Sequence, residues 1–407
     1  MKLLYNCGVR LMDVGIRCAA PFNTKARLWK EGRRDLFDKL KSLESHRVAW
    51  FHAASLGEFE QGRPVIEAFR KIHPEYKILV TFFSPSGYEI RKNYSGADCI
   101  CYLPTDTPKN VRRFMQIVHP EIAVFIKYEF WYNYLTAMQK AGTKLYLISA
   151  IFRKDQIFFK PQGGLFRQAL HAFTHLFVQD NTSKQLLHEI GIDAVSIAGD
   201  TRFDRVYAIA SNVKRLPEIE RFAQNTPVFI AGSTWPPDEE ILLTLINRYP
   251  TVKFIIAPHE IHSSRIEKLR TAIRRPSLRY TELTPDSDLT HAEVLFIDTI
   301  GLLSSVYRYG TWGYIGGGFG AGIHNTLEAA TFGLPLAFGP RYEAFKEAKE
   351  LIAAGGAHSI SNAEELTKWF EPLFHNPEKT QELGDICKQY VLNNKGATQQ
   401  IIDEICR

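Results

Sequence analysis

Two stretches of this 407-residue chain combine residue types that could do chemistry as well as fold. The first is "HAASLGEFEQ", His52 to Gln61, in which Ala53, Ala54, Ser55 and Gly57 leave room beside Glu58 and Glu60. A carboxylate at a helix start above such small residues can take the proton of an acceptor hydroxyl, general-base catalysis that contributes about 10²–10⁴-fold. Glu58 and Glu60 both qualify, and matching the helix dipole is a purely structural reason for either. The second is "GGGFGAGIHNTLEAATFGLP", Gly316 to Pro335. Glycines closing an apolar run let backbone approach a ligand or adopt positive φ, and "HNTLEAA" reads as a helix start capped by Asn325. Backbone N–H groups at such a start suit one or two phosphates. Asn325 and Glu328 are three apart and share a helix face, where a carboxylate can accept both hydroxyls of a ribose. The structural alternative for Glu328 is again the helix dipole, worth about 0.3–1 kcal/mol.

Three more loops belong with these. "KYEFWYN", Lys127 to Asn133, sets Glu129 among aromatic residues, and a carboxylate in an apolar loop is a functional candidate. In "AGSTW", Ser233 and Thr234 offer hydroxyls to phosphate, and "APHEIH" places His259 and His262 three apart, a spacing closer to anion contact than to a metal site. Neither the thirteen histidines nor the six cysteines cluster at metal-ligand spacing, so no metal and a reducing compartment are expected. Ala321 and Ile323 stand where a third glycine of Gly-x-Gly-x-x-Gly would fall, which disfavours a dinucleotide oxidoreductase, and no Gly-x-x-x-x-Gly-Lys-Ser/Thr occurs.

The elements that must position these loops are legible as short apolar runs. "RVAWFHA", "KILVTFF", "DCICYLP", "IAVFIKY", "KLYLISA", "HLFVQD" and "AVSIAG" are nearly continuous and read as buried parallel strands, separated by amphipathic stretches such as "SKQLLHEIG". The pattern pauses over 211–226 and restarts with "VFIAGST", "KFIIAPH", "EVLFIDT", "WGYIGGG" and "PLAFGP". This is a doubly wound α/β architecture written twice, predicted as domains over 35–210 and 227–407 with a linker between, and it places the candidate loops at strand carboxyl ends facing a cleft. Length and a 45% hydrophobic content suffice for two cores.

A net charge of +6 is too mild to argue for nucleic acid, but Lys25, Arg27, Lys30, Arg33 and Arg34 concentrate it. Before them, Leu3, Leu4, Val9, Leu11, Met12, Val14 and Ile16 are interrupted by Arg10, Asp13 and Arg17, too polar a stretch to span a bilayer and without a signal-peptide cleavage site. Residues 1–34 are therefore expected to lie on an anionic membrane surface.

In the order "HAASLGEFE", "KYEFWYNYL", "VQDNTSKQLLHEIG", "GDTRFD", "AGSTWPPDEE", "DTIGLL" and "GGGFGAGIHNTLEAATFGLPLAFGP", the chain resembles the Kdo (3-deoxy-D-manno-octulosonic acid) transferases of lipopolysaccharide assembly over nearly its whole length. The resemblance implies a GT-B fold, two Rossmann-like domains facing across a cleft, an N-terminal acceptor domain and a C-terminal CMP-Kdo domain. It implies transfer of Kdo from CMP-Kdo to a lipid A precursor with inversion, without metal or cofactor, at the cytoplasmic face of the bacterial inner membrane. Glu58 then matches the family's catalytic base, Glu129 its second acidic position, and Arg202 stands where a lysine is usual, both supporting the transition state. Donor contacts map onto Pro258 and His259, onto Ile300, Gly301 and Leu302, and onto Asn325, Thr326, Leu327 and Glu328, beside Ser233 and Thr234. His259 replaces a usual arginine, Leu302 a usual glutamate, and Lys127 and Tyr128 an acidic residue and a threonine. The alternatives are a GT-B transferase or epimerase using a UDP-sugar, and a non-catalytic nucleotide-sugar binding module.

Overall fold

The structure is a computed structural model that describes residues 1–224, 226–284 and 286–407. The continuous apolar runs form strands buried on both faces, as helices on either side of a parallel sheet require. In the first sheet β1 (Val48–Ala53), β2 (Lys77–Phe82), β3 (Cys99–Tyr102), β4 (Pro120–Ile126), β5 (Lys144–Ala150), β6 (His175–Val178) and β7 (Val195–Ile197) lie in the order β3-β2-β1-β4-β5-β6-β7. The second holds β8 (Val228–Thr234), β9 (Lys253–Pro258), β10 (Ser277–Arg279), β11 (Val294–Phe296), β12 (Trp312–Ile315), β13 (Leu336–Phe338) and β14 (Ala357–Ser359) in the order β10-β11-β9-β8-β12-β13-β14. Every neighbouring pair is parallel. These are two Rossmann-like sheets, the pair that makes up the GT-B fold class. Strand order reverses between β1 and β4 and again between β8 and β12, and ligands of such sheets bind where the carboxyl ends diverge at that switch. At or just beyond the carboxyl ends of these four strands lie Glu58, Glu129, Ser233 with Thr234, and Gly316 onward.

The chain divides into two compact units, 1–204 with 395–407, and 205–394. That differs from a division at 211–226. The stretch read as a linker contains a helix, Pro217–Ala223, whose Ile219 and Phe222 are buried, with Lys253 of the second unit over the Phe222 ring. The last helix, Ala397–Ile405, expected with the second domain, belongs to the first: Ile401, Ile402 and Ile405 join its core, and Asp204 caps the helix by accepting from Gly396 N–H at 2.6 Å and Thr398 N–H at 2.8 Å.

Residues 1–34 are likewise built into the first unit. On helix Lys2–Ala19, Tyr5 donates to Asp106 at 2.7 Å, Asn6 accepts from Asn133 at 2.8 Å and Asp13 accepts from Thr105 at 2.9 Å, so Tyr5, Asn6, Val9 and Asp13 form its docked face. Leu3, Leu4, Cys7, Leu11, Val14 and Cys18 form an exposed apolar stripe on the other side. Of the basic cluster, Lys25, Arg27 and Arg34 are exposed, but Arg33 is not a surface cation. Its guanidinium donates to the carbonyls of Leu103, Trp29 and Phe83 and lies 3.7 Å from the Trp29 ring centre. Among the described residues no helix is long and apolar enough to cross a membrane.

Candidate active site

In the first unit, β1 delivers a short turn into helix Leu56–Ile72, whose N-cap Ser55 accepts from Glu58 N–H. The Glu58 carboxylate reaches back and accepts from Ala54 N–H at 2.5 Å, which fixes its rotamer at the strand end. Glu58 thus has the capping geometry that the structural reading required. It is also half-buried, and burial first, then the nearby charge of Glu129, raise its carboxyl above the ordinary range, opposed by the Ala54 N–H, His52 and Lys127. A carboxylate held in that way is a stronger base than a solvated one. Glu60 is distinguished from it by a partner: Arg91 donates to Glu60 at 2.7 and 3.0 Å, pointing it along the helix flank.

Glu129 lies at the end of β4, where Lys127 takes a left-handed φ of 65° to turn the loop. Its Oε2 accepts from His52 Nε2 at 3.0 Å and from Trp131 Nε1 at 2.6 Å. His52, fully buried on β1, was hidden in the sequence because one histidine inside an apolar run reads as a strand residue. Arg202 opens the helix Arg202–Ser211 after "GDT" and is held by Asp200, which accepts from its Nε at 2.9 Å. Buried Asp200 also accepts from Gln61 Nε2 at 2.9 and 3.0 Å, so the loop carrying Arg202 is tied to the helix carrying Glu58 one turn after that residue. The structure therefore brings Glu58 and Glu129 within mutual electrostatic reach and links Arg202 to the same helix.

In the second unit the glycine stretch folds as a backbone cradle. Gly317 has φ 92°, and a Cβ on Gly318 would fall 2.6 Å from Gly339 Cα, so a side chain at 318 cannot coexist with that approach. Asp238, unremarked in the sequence, fixes the cradle from beneath by accepting from Gly317 N–H at 2.9 Å, Tyr314 O–H at 2.8 Å and Trp235 N–H at 2.8 Å. The helix after it starts one residue later than an Asn325 cap implies: it spans Leu327–Thr331 with Thr326 as N-cap. Asn325 is one residue outside and accepts from Leu327 N–H at 3.1 Å, an Asx turn, while its Nδ2 donates to Glu328 Oε1 at 2.9 Å. Asn325 and Glu328 thus meet as their spacing predicted. Thr326 Oγ1 is buried with no hydrogen-bond partner among the described residues.

Ser233, at φ 55°, is half-buried, but the Thr234 hydroxyl is turned inward, donating to Glu239 at 2.9 Å, which Arg265 neutralises at 2.6 Å. Pro258 ends β9, and the His259 ring stacks on Trp235, 4.8 Å between ring centres, and on His324, 4.2 Å. Trp235 Nε1 donates to His324 Nε2 at 3.1 Å. Burial, then His259, lower the His324 pKa to about 4, so this ring is a neutral acceptor at physiological pH. Ile300 is 91% exposed, Gly301 has φ 89°, and Leu302 caps the short helix Leu303–Val306. His262 Nε2 lies 3.4 Å from a Glu260 carboxylate oxygen, and the ring does not enter this stack. Among the described residues no group of three or more His, Cys, Asp or Glu could hold a metal ion.

Residues 29–205 match the family model described as 3-deoxy-D-manno-octulosonic-acid transferase (kdotransferase). The 3-deoxy-D-manno-octulosonic acid transferase of Haemophilus influenzae is 24% identical over 383 residues, covering 87% of this chain and 85% of that one. That of Rickettsia prowazekii is 26% identical, covering 90% and 80%. Among solved structures, the UDP-GlcNAc 2-epimerase of Neisseria meningitidis bound to UDP-GlcNAc gives a TM-score of 0.60 at 18% identity, covering 88% of this chain and 98% of that one, a likeness of fold.

Proposed function

Because the chain belongs to the Kdo transferase family, we propose that it transfers Kdo from CMP-Kdo to a hydroxyl of a lipid A precursor of the lipid IVA type, with inversion. The acceptor oxygen attacks the anomeric carbon as the bond to CMP breaks, CMP leaves with that bonding pair, and Glu58 takes the acceptor proton. The observation that carries this reading is the contrast between the two neighbouring carboxylates: Glu58 is half-buried with a raised affinity for protons, and Glu60 is ion-paired to Arg91. Glu129 and Arg202 support the transition state.

In the same reading CMP lies on the second unit. The cradle from Gly316 and the Thr326 hydroxyl meet its phosphate, Glu328 with Asn325 accepts from its ribose, and Ser233, Pro258, His259, Ile300, Gly301 and Leu302 line its path. The inward Thr234 hydroxyl supports the strand end and leaves only its backbone for contact. A cavity of about 470 Å³ beside Glu129, lined by Tyr5, Tyr128, Phe130, Trp131 and Phe158, suits an apolar part of the acceptor. The apolar stripe of helix Lys2–Ala19 fits the interfacial layer of an anionic bilayer, at the cytoplasmic face of the inner membrane. Mass spectrometry of a lipid A precursor incubated with CMP-Kdo and the purified protein tests the proposal. A product heavier by one or more Kdo residues is expected; product from UDP-sugars alone, or none from either donor, overturns it.

A further inference from the structure

His52 is the one buried titratable group beside Glu58 and Glu129 to which the mechanism above gives no part. It lies at the centre of a continuous chain of hydrogen bonds. Trp50 Nε1 donates to Thr81 Oγ1 at 2.7 Å, Thr81 Oγ1 lies 2.8 Å from His52 Nδ1, and His52 Nε2 lies 3.0 Å from Glu129 Oε2. Trp131 Nε1 donates to the same Glu129 oxygen at 2.6 Å. An ionised carboxylate only accepts, so Nε2 must carry the proton that it donates. Nδ1 faces the Thr81 hydroxyl, which receives the Trp50 N–H, and lies 3.1 Å from the Thr81 carbonyl oxygen, so Thr81 holds the ring from behind through both groups. His52 is fully buried, so it cannot touch a substrate.

Both donors meet Oε2, and no described residue donates to Oε1 of Glu129. Resting on the transferase reading, we propose that His52 is a positioning residue: its Nε2–H, anchored from behind by Thr81 and Trp50, fixes Glu129 in one rotamer, so that Oε1 alone is presented to the reacting atoms. The other charged or titratable groups bearing on this pair are Glu58, Lys127 and Tyr5.

The test compares His52→Phe, which fills the volume without a donor, with His52→Gln, whose amide N–H can replace Nε2–H, and with Thr81→Val, which leaves the imidazole but removes the hydroxyl behind it. Kdo transfer is measured as kcat and donor KM. His52→Phe is expected to lower kcat by roughly tenfold or more with donor KM nearly unchanged. His52→Gln should recover most of the loss, and Thr81→Val should show a smaller loss of kcat. Equal losses of kcat in His52→Phe and His52→Gln overturn the proposal, as does a wild-type kcat in Thr81→Val if His52→Phe does not fold. Nitrogen-15 NMR of histidine-labelled wild-type protein needs no turnover. A proton on Nε2 is expected, and one on Nδ1 with bare Nε2 overturns the assignment even if the substrate proves to be another, whereas an Nε2 proton in a protein that transfers no Kdo upholds the His52–Glu129 geometry and rejects the transferase reading alone.

Discussion

The two units place their candidate groups at equivalent points, the carboxyl ends of strands flanking a switch in strand order, yet they build them from opposite materials. In the first unit the candidate groups are side-chain carboxylates, each restrained by donors: Ala54 N–H on Glu58, His52 and Trp131 on Glu129. In the second the Thr234 side chain is withdrawn into Glu239, and the glycines leave backbone uncovered by side chains. The difference suits the task proposed for each. A proton acceptor has to titrate, and its affinity for protons is set by burial and neighbouring charge, so a side chain in a controlled environment is required. A phosphate has only to be met by fixed N–H groups, and every Cβ near it is an obstruction.

Glu58→Gln is the sharpest way to break this comparison. Turnover should fall by about 10²-fold or more while CMP affinity, measured by calorimetry, stays within a few-fold; near-normal turnover would move the base elsewhere. In the second unit Gly318→Ala should do the reverse, weakening CMP binding by about 1–3 kcal/mol as Gly339 is forced away. Glu328→Ala is expected in the same range, about 1–3 kcal/mol, by leaving ribose hydroxyls without their acceptor; unchanged affinity would leave Glu328 as a helix-dipole residue.

Membrane attachment belongs to the first unit alone in this reading. Replacing the exposed Lys25, Arg27 and Arg34 by Gln should weaken binding to anionic vesicles by about 1 kcal/mol per cation at low ionic strength, with CMP affinity intact. Arg33→Gln should instead lower thermal stability, because three carbonyls lose their donor.

The pH responses separate the units by sign and size. In the proposed mechanism Glu58 works deprotonated, and because its proton affinity is raised, turnover should fall as pH drops through a value above the usual ~4.3 of glutamate. Glu129→Gln removes a like charge and should move that limb downward. The smallest effect expected is none at all: with a pKa of about 4, the His324 ring nitrogens should show no titration by NMR between about pH 5 and 8.

Much of this was legible in the sequence, for reasons that differ by element. Twelve strands announce themselves as apolar runs because a parallel strand is covered on both faces. The two that do not, Ser277–Arg279 and Ala357–Ser359, are three-residue edge strands with one neighbour each. Glu58, Glu129 and the glycine stretch stand out as chemistry misplaced among small or aromatic residues. What the sequence hides is anything settled by distant partners: Asp238 under the cradle, His52 behind Glu129, Arg33 folded into aromatics, and the N-cap one residue later than Asn325. The resemblance to a family separated Glu58 from Glu60, and the structure adds the physical reason in Arg91.

The return of helix Ala397–Ile405 to the first unit makes the second unit an insertion in the first, and this bears on synthesis as well as on architecture. A ribosome completes β1 to β7 and Asp204, then has to make the whole of Arg205–Asn394 before the helix that Asp204 caps exists. At about 5–20 residues per second that interval is on the order of ten seconds or more. Through it the surface that later takes Ile401, Ile402 and Ile405 stays uncovered, a stage at which a nascent chain offers an apolar patch to chaperones or to other chains.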